Sequence, residues 1–187
     1  DKLTEAAGTA QSDPVAEAME QAKELMTAEE FEAAAGIYGQ VISHAPDNID
    51  AYGGLARALV GLGEMDQAAE VLLQVSEEKR DHPDVAAAQA AIDLAAQSAA
   101  VGDLSPLEAA VAADPKNHQA RIDLAIGLFG AGRRGEAIDH LVESMKIDRT
   151  WNEDAARQQL IQFFDTMSPT DEDTIAGRRK MSAVLFS

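Results

Sequence analysis

Apolar residues recur every three to four positions along most of the chain, which is the spacing of amphipathic helices rather than of strands. The first start signal is Ser12-Asp13-Pro14, where Asp13 is suited to cap a helix and Pro14 to begin it. This helix is predicted to run to about Met26. The spacing of Thr27 and Glu30 then predicts a capping box for a second, antiparallel helix that ends near Pro46.

The order of small and large apolar residues recurs after 34 positions. The aligned residues of the first two units are Ala22, Leu25, Ala34, Tyr38 and Val41 with Ala56, Leu59, Ala68, Leu72 and Val75. The second unit adds Tyr52, Leu55 and Gly63, and a later unit repeats the order at Leu124, Ala125, Leu128, Gly132, Ala137 and Leu141. This pattern resembles the tetratricopeptide repeat, in which small residues let two helices cross closely and large ones fill the space between units. A chance imitation by an alanine-rich bundle is disfavoured, because three units agree.

Two regions depart from the repeat. Residues 82–115 are predicted to be a degenerate third unit, with a long helix from about Pro83 to Ala100 and a short helix opened by Ser105-Pro106. Thr150 and Glu153 predict a second capping box, followed by a helix to about Met167 that covers the open end of the repeats. A last helix is predicted over residues 171–186.

These elements predict an all-α protein, a tetratricopeptide-repeat-like right-handed helical solenoid of antiparallel helix pairs with C-terminal capping helices. Residues 1–12 are expected to be a linker or disordered, and residues 13–149 to hold about four repeat units, the third degenerate. Residues 150–187 are expected to form the capping helices and an amphipathic tail. Because the chain begins at Asp1 and continues through small polar residues, we expect it to be a piece of a longer protein.

Composition excludes several classes of function. The chain has 15 basic and 33 acidic residues, a formal net charge of −18, so it repels phosphate backbones and anionic headgroups. We therefore expect neither nucleic acid nor a membrane as a partner. The chain has no cysteine, which excludes thiol redox chemistry within it.

The sequence offers no positive evidence for catalysis or for a cofactor. Its histidines, His44, His82, His118 and His140, are far apart, and none has a second histidine or a cysteine at metal-ligand spacing, so no metal site is expected. There is no phosphate-binding loop motif. No serine or threonine can be joined with a histidine and an acid by sequence argument. We therefore predict no enzyme activity.

The repeat register predicts which side chains line the concave face of the solenoid. The candidates for partner binding are Met19, Lys23, Met26, Arg57, Val60, Ile122, Ile126 and Phe129. The groove is partly apolar and contains methionines, which adapt to varied partners. The alternative, that the apolar members are ordinary core between helices, stays open.

The C-terminal segment is a second candidate for partner binding. It contains three cations followed by large apolar residues: Arg178, Arg179, Lys180, Met181, Val184, Leu185 and Phe186. Such an amphipathic end either folds back on the capping helix or offers an apolar plug to a partner groove. Fold-back is favoured. The cations in the C-terminal half of the helix also suit its dipole, which explains them without a partner.

A closer resemblance lies in the C-terminal third. The Gly132-Arg133-Arg134 turn, the segment from Asp148 to Arg157 and the closing residues Arg178 to Phe186 resemble the C-terminal half of bacterial thioredoxin-like co-chaperones, also called chaperedoxins. The resemblance implies a cytoplasmic bacterial protein in which a thioredoxin-fold domain, not contained in this chain, precedes the repeats. Any redox activity would belong to that domain.

The resemblance also implies a function. The repeat domain would bind unfolded clients and pass them to the chaperonin or to the Hsp70 system, and the C-terminal helix would be the element that docks on the chaperonin. The alternative is a structural scaffold or homo-oligomerisation module without client binding. The sequence leaves the oligomeric state open.

Overall fold

The computed structural model describes residues 13–186, which contain ten α-helices, one short 3-10 helix (Glu77–Lys79) and no strand. The helices are α1 (Pro14–Thr27), α2 (Phe31–His44), α3 (Ile49–Gly61), α4 (Met65–Leu73), α5 (Pro83–Val101), α6 (Ser105–Ala113), α7 (His118–Gly130), α8 (Arg134–Ile147), α9 (Trp151–Thr166) and α10 (Glu172–Leu185). The predicted all-α fold is confirmed. The linker expected over residues 1–12 lies outside the described residues.

Consecutive helices pack as pairs and the pairs stack. α1 lies against α2, α3 against α4, and α7 against α8, while α3 also packs on α2 and α5. The alanines at the repeating small positions are fully buried where the helices cross: Ala22, Ala34, Ala56, Ala68, Ala125 and Ala137. Because alanine lets helix axes approach, these crossings close tightly.

Two adjacent glycines of α3 allow α2 and α5 to pack closely against it. A Cβ at Gly54 would lie 2.4 Å from ring atoms of Tyr38 in α2, and Tyr38 is only 1% exposed. A Cβ at Gly53 would lie 2.5 Å from the carbonyl oxygen of Asp84 in the first turn of α5. Any side chain at either position would therefore push a packed neighbour away.

The tight turns inside the helix pairs need a left-handed residue. Gly63 and Gly132 supply it, with φ of 80° and 78°, whereas Glu29 takes this conformation in the first pair with φ of 59°. The capping box predicted at Thr27 is wrong. α1 continues through Thr27, whose hydroxyl donates to the carbonyl of Lys23 at 3.0 Å, and the side chain at the N-cap of α2 makes no capping bond.

The two helices after α4 differ in length and packing from those of the first two units. α5 is 19 residues long and packs against α3, α7 and α9, while α6 packs against α7. The contact of α5 with α9 ties the C-terminal helices to the third unit.

The start of α9 differs from the prediction. Thr150 does not cap it, because the Thr150 amide and hydroxyl both donate to Asp148 Oδ1, at 3.0 and 2.9 Å. These bonds lower the pKa of Asp148. Asn152, Glu153 and Asp154 are left-handed, so the regular helix begins after them. The predicted apolar side of α9 is buried: Leu160, Phe163, Phe164 and Met167.

Candidate functional site

The concave face of the first unit is mostly closed by packing. Met19 is buried and Met26 is half-buried against the N-terminal core, which is the cluster formed by Met19, Ala22, Ala34, Tyr38, Val41, Ala51 and Ala58. Lys23 is exposed, and its ammonium lies 2.8 Å from Glu20, a hydrogen bond that raises the pKa of the lysine. The first unit therefore offers one cation and part of one methionine to a partner.

The second unit presents a polar patch where α3 and α5 begin. Arg57 Nη2 donates to Asp84 Oδ1 at 3.1 Å. His82 Nε2 lies 3.4 Å from Asp50 Oδ1, and His82 Nδ1 lies 4.0 Å from Asp84 Oδ2. Val60 is half-buried against the core beneath. Polar and charged side chains thus occupy this part of the predicted concave face.

In the fourth unit, the apolar candidates belong to the packed C-terminal core. Ile122 is buried, and Ile126 and Phe129 are half-buried against the C-terminal core, which is the cluster of buried apolar residues between Leu94 and Met167. The ring of Phe129 stacks on Phe163 of α9, with 4.2 Å between ring centroids. These side chains stabilise the packing of α7 with α9 and leave little apolar surface for a partner.

The last helix folds back, and it packs chiefly on α8. Met181, Val184 and Leu185 are half-buried against the C-terminal core. Arg149 of the loop between α8 and α9 donates to the carbonyls of Val184 and Leu185, at 3.5 and 3.3 Å, which caps the end of α10. The helix end is therefore held in place from two sides.

The three cations of α10 have different surroundings. The Arg178 guanidinium lies 5.4 Å from the ring centre of Phe164, and Lys180 pairs with Asp139 of α8. Arg179 is exposed to solvent. A groove of about 1030 Å³ runs between α8 and α10 and carries both signs of charge.

Phe186 follows α10 and is 88% exposed, more than any other large apolar side chain in residues 13–186. Its helix also carries Ile175, 57% exposed, near the opposite end. An aromatic side chain of this exposure at an anchored helix end has no role in the core. It is the clearest apolar feature that a partner could cover.

One serine–histidine contact is present but closed to substrates. His118 Nδ1 and Ser144 Oγ are 2.7 Å apart, and the imidazole stacks on Trp151. Ser144 is fully buried and His118 is 9% exposed. The pair therefore ties α7 to α8 and is inaccessible to a reactant.

The convergence of Asp50, His82 and Asp84 was not predicted from the sequence. A signal was present, since Asp50 and Asp84 are 34 positions apart, which is one repeat. Equivalent positions of successive repeats lie side by side, so this spacing places both carboxylates on one edge of the concave face.

Within residues 13–186 there is no helix with both the length and the apolar character needed to cross a bilayer.

Family models of known proteins agree with the helix arrangement. Residues 25–92 and residues 97–186 match two such models, each described as tetratricopeptide repeat. No curated protein matches the sequence significantly. Among solved structures, a domain of protein VP0806 from Vibrio parahaemolyticus RIMD 2210633, described as of unknown function, is similar at 20% identity with a TM-score of 0.45. The similarity covers 91% of this chain and 99% of that one.

Proposed function

Because the chain is a tetratricopeptide-repeat domain, we propose that it is the protein-binding module of a thioredoxin-like co-chaperone and docks on the chaperonin through its C-terminal helix. Tetratricopeptide-repeat domains generally mediate protein–protein interaction and are typically non-catalytic. The finer assignment is supported by the resemblance of Asp148 to Arg157 and of Arg178 to Phe186 to that family. A cytoplasmic location follows from a chaperonin partner and is part of the proposal.

The observation that carries the proposal is the exposure of Phe186 on an anchored helix. Met181, Val184 and Leu185 fix α10 on α8, so the position of Phe186 is set before a partner arrives. Binding therefore costs little ordering of the helix. Arg179, also exposed, adds a cation to the same end of the molecule.

Unfolded clients and the Hsp70 system are the other partners of the proposed co-chaperone. Met26 and Val60 are the apolar concave residues of the first two units that retain partial exposure, and we assign client contacts to them. Their exposed area is small, so client binding through this face is expected to be weak compared with docking of the tail.

A structural scaffold is the second candidate. It is favoured by the closed concave face, where Met19 and Ile122 are buried and Phe129 stacks on Phe163. A scaffold that self-associates would cover Phe186 with a second copy. Sedimentation equilibrium separates the two proposals: a monomer favours the co-chaperone, and a dimer that Phe186→Ala dissociates favours the scaffold.

The direct test is capture of purified bacterial chaperonin by the intact chain, Phe186→Ala and Ile175→Ala. Both substitutions remove an exposed apolar side chain from the same helical segment, so neither should disturb the core. Loss of a central anchor typically costs about 2 kcal/mol or more, roughly a 30-fold loss of affinity. We expect this loss for Phe186→Ala alone. Equal capture by both variants, or no capture by the intact chain, would contradict the tail as the docking element.

A further inference from the structure

Three side chains with metal-ligating atoms meet at the edge of the concave face, where α3 and α5 begin. One donor atom from each of Asp50, His82 and Asp84 lies within 4.8 Å of the other two. The closest pair, Asp50 Oδ1 and His82 Nε2, is 3.4 Å apart. Two ligands that share one tetrahedral ion at bonds of about 2.0–2.2 Å are separated by about the same distance.

The fold holds two of these groups in place. Gly53 lets the first turn of α5 lie directly on α3, which brings Asp84 beside Asp50. Arg57 donates to Asp84 Oδ1 at 3.1 Å, so Oδ2 is the carboxylate oxygen that faces His82. A hydrogen bond to the second oxygen of a ligating carboxylate is the usual way in which proteins orient such a ligand.

The contacts of His82 are not explained by the fold. Its Nδ1 atom is buried without a hydrogen-bond partner, since Asp84 Oδ2 at 4.0 Å is too distant. Its side chain does not cap α5, although His82 occupies the N-cap position. The imidazole therefore contributes little to the helix start, and one of its two nitrogens lies within 4.8 Å of a donor atom of each carboxylate.

We propose that Asp50, His82 and Asp84 bind one divalent transition-metal ion of the Zn²⁺ type. An imidazole combined with carboxylates suits Zn²⁺, Co²⁺ or Ni²⁺, whereas Mg²⁺ and Ca²⁺ prefer oxygen ligands alone. The net charge of −18 favours a cation. The three side chains are 51%, 38% and 36% exposed, so the ion keeps a coordination position open to water or to a side chain of a bound protein.

The test is Zn²⁺ titration of the untagged whole chain by calorimetry, with Asp50→Asn, His82→Gln and the control His44→Gln. His44 is an exposed histidine whose Nδ1 contacts the Gln40 carbonyl of its own helix, so it is no part of the cluster. We expect one Zn²⁺ per chain, at least tenfold weaker binding in the first two variants, and unchanged binding in the control. Mg²⁺ should give no comparable heat. Circular dichroism checks that each variant is folded.

A second measurement depends on no variant. Co²⁺ added to the ¹⁵N-labelled chain should broaden the amide signals of residues around 50, 82 and 84 before any others. Absence of stoichiometric binding, equal affinity of His82→Gln and His44→Gln, or broadening centred elsewhere would overturn the proposal. The metal site does not depend on chaperonin docking, because its ligands lie at the starts of α3 and α5 and the proposed docking element is α10.

Discussion

The close contact between Gly54 and Tyr38 predicts opposite effects for two identical substitutions. Gly36 lies in the interior of α2, and a Cβ there would meet no atom within 4 Å. Gly36→Ala should therefore raise the free energy of unfolding by about 0.5–1 kcal/mol through helix propensity alone. Gly54→Ala gains the same term but places its Cβ 2.4 Å from the Tyr38 ring.

The size of the penalty follows from the burial of Tyr38. The ring is 1% exposed, so it cannot move aside into solvent, and overpacking of a core of this kind costs about 1–3 kcal/mol. After the gain in propensity, Gly54→Ala should lose up to about 2.5 kcal/mol. For a chain of this length, this corresponds to a fall in Tm of up to roughly 10 °C.

Urea unfolding followed by circular dichroism at 222 nm measures both variants on one scale. The matched background is Tyr38→Leu, since leucine occupies the equivalent position at Leu72 and Leu141 and lacks the ring atoms that meet the added Cβ. In that background Gly54→Ala should be neutral or stabilising. Overpacking against Tyr38 is refuted as the cause if Gly54→Ala stabilises the chain as much as Gly36→Ala does. It is also refuted if the loss caused by Gly54→Ala is the same in the Tyr38→Leu background.

Two further predictions concern turns. Glu29→Gly should raise stability by about 1 kcal/mol in urea unfolding, because it relieves a left-handed residue and sacrifices only an exposed ion pair with Arg134; a loss of stability would count against that strain. The hydrogen bond from the Thr150 hydroxyl lowers the pKa of Asp148 below its ordinary 3.8. The stability that the ionised Asp148 carboxylate contributes is therefore complete above about pH 4 and is lost as pH falls through the folded-state pKa. Asp148→Asn should flatten that part of the profile of stability against pH, and an unchanged acid slope would contradict it.

The repeats could be predicted because their signal is local and periodic. Positions 22, 56 and 125 hold alanine because two helices cross closely at each of them, and all three alanines are fully buried. The capping boxes could not be predicted as reliably, because a hydroxyl has several backbone and side-chain partners within reach. Thr27 bonds back into its own helix, and Thr150 bonds to Asp148.

The candidate sites were only partly predictable. The register predicted that Ile122 and Phe129 line a groove, but Ile122 is buried and Phe129 stacks on Phe163 of α9, and the packing of a non-repeat helix cannot be derived from the repeat. Fold-back of α10 could be anticipated from its apolar side. That α10 packs on α8, and that Phe186 is exposed as a result, depends on the Arg149 cap and on contacts between residues distant in sequence.

Hydrogen exchange of the chain alone and in the presence of bacterial chaperonin distinguishes docking through α10 from docking through the concave face, because it reports every surface at once. We predict added protection within residues 178–186, with the amides of α3 and α7 unchanged. Protection confined to the concave face, or no protection anywhere at saturating chaperonin, would contradict it.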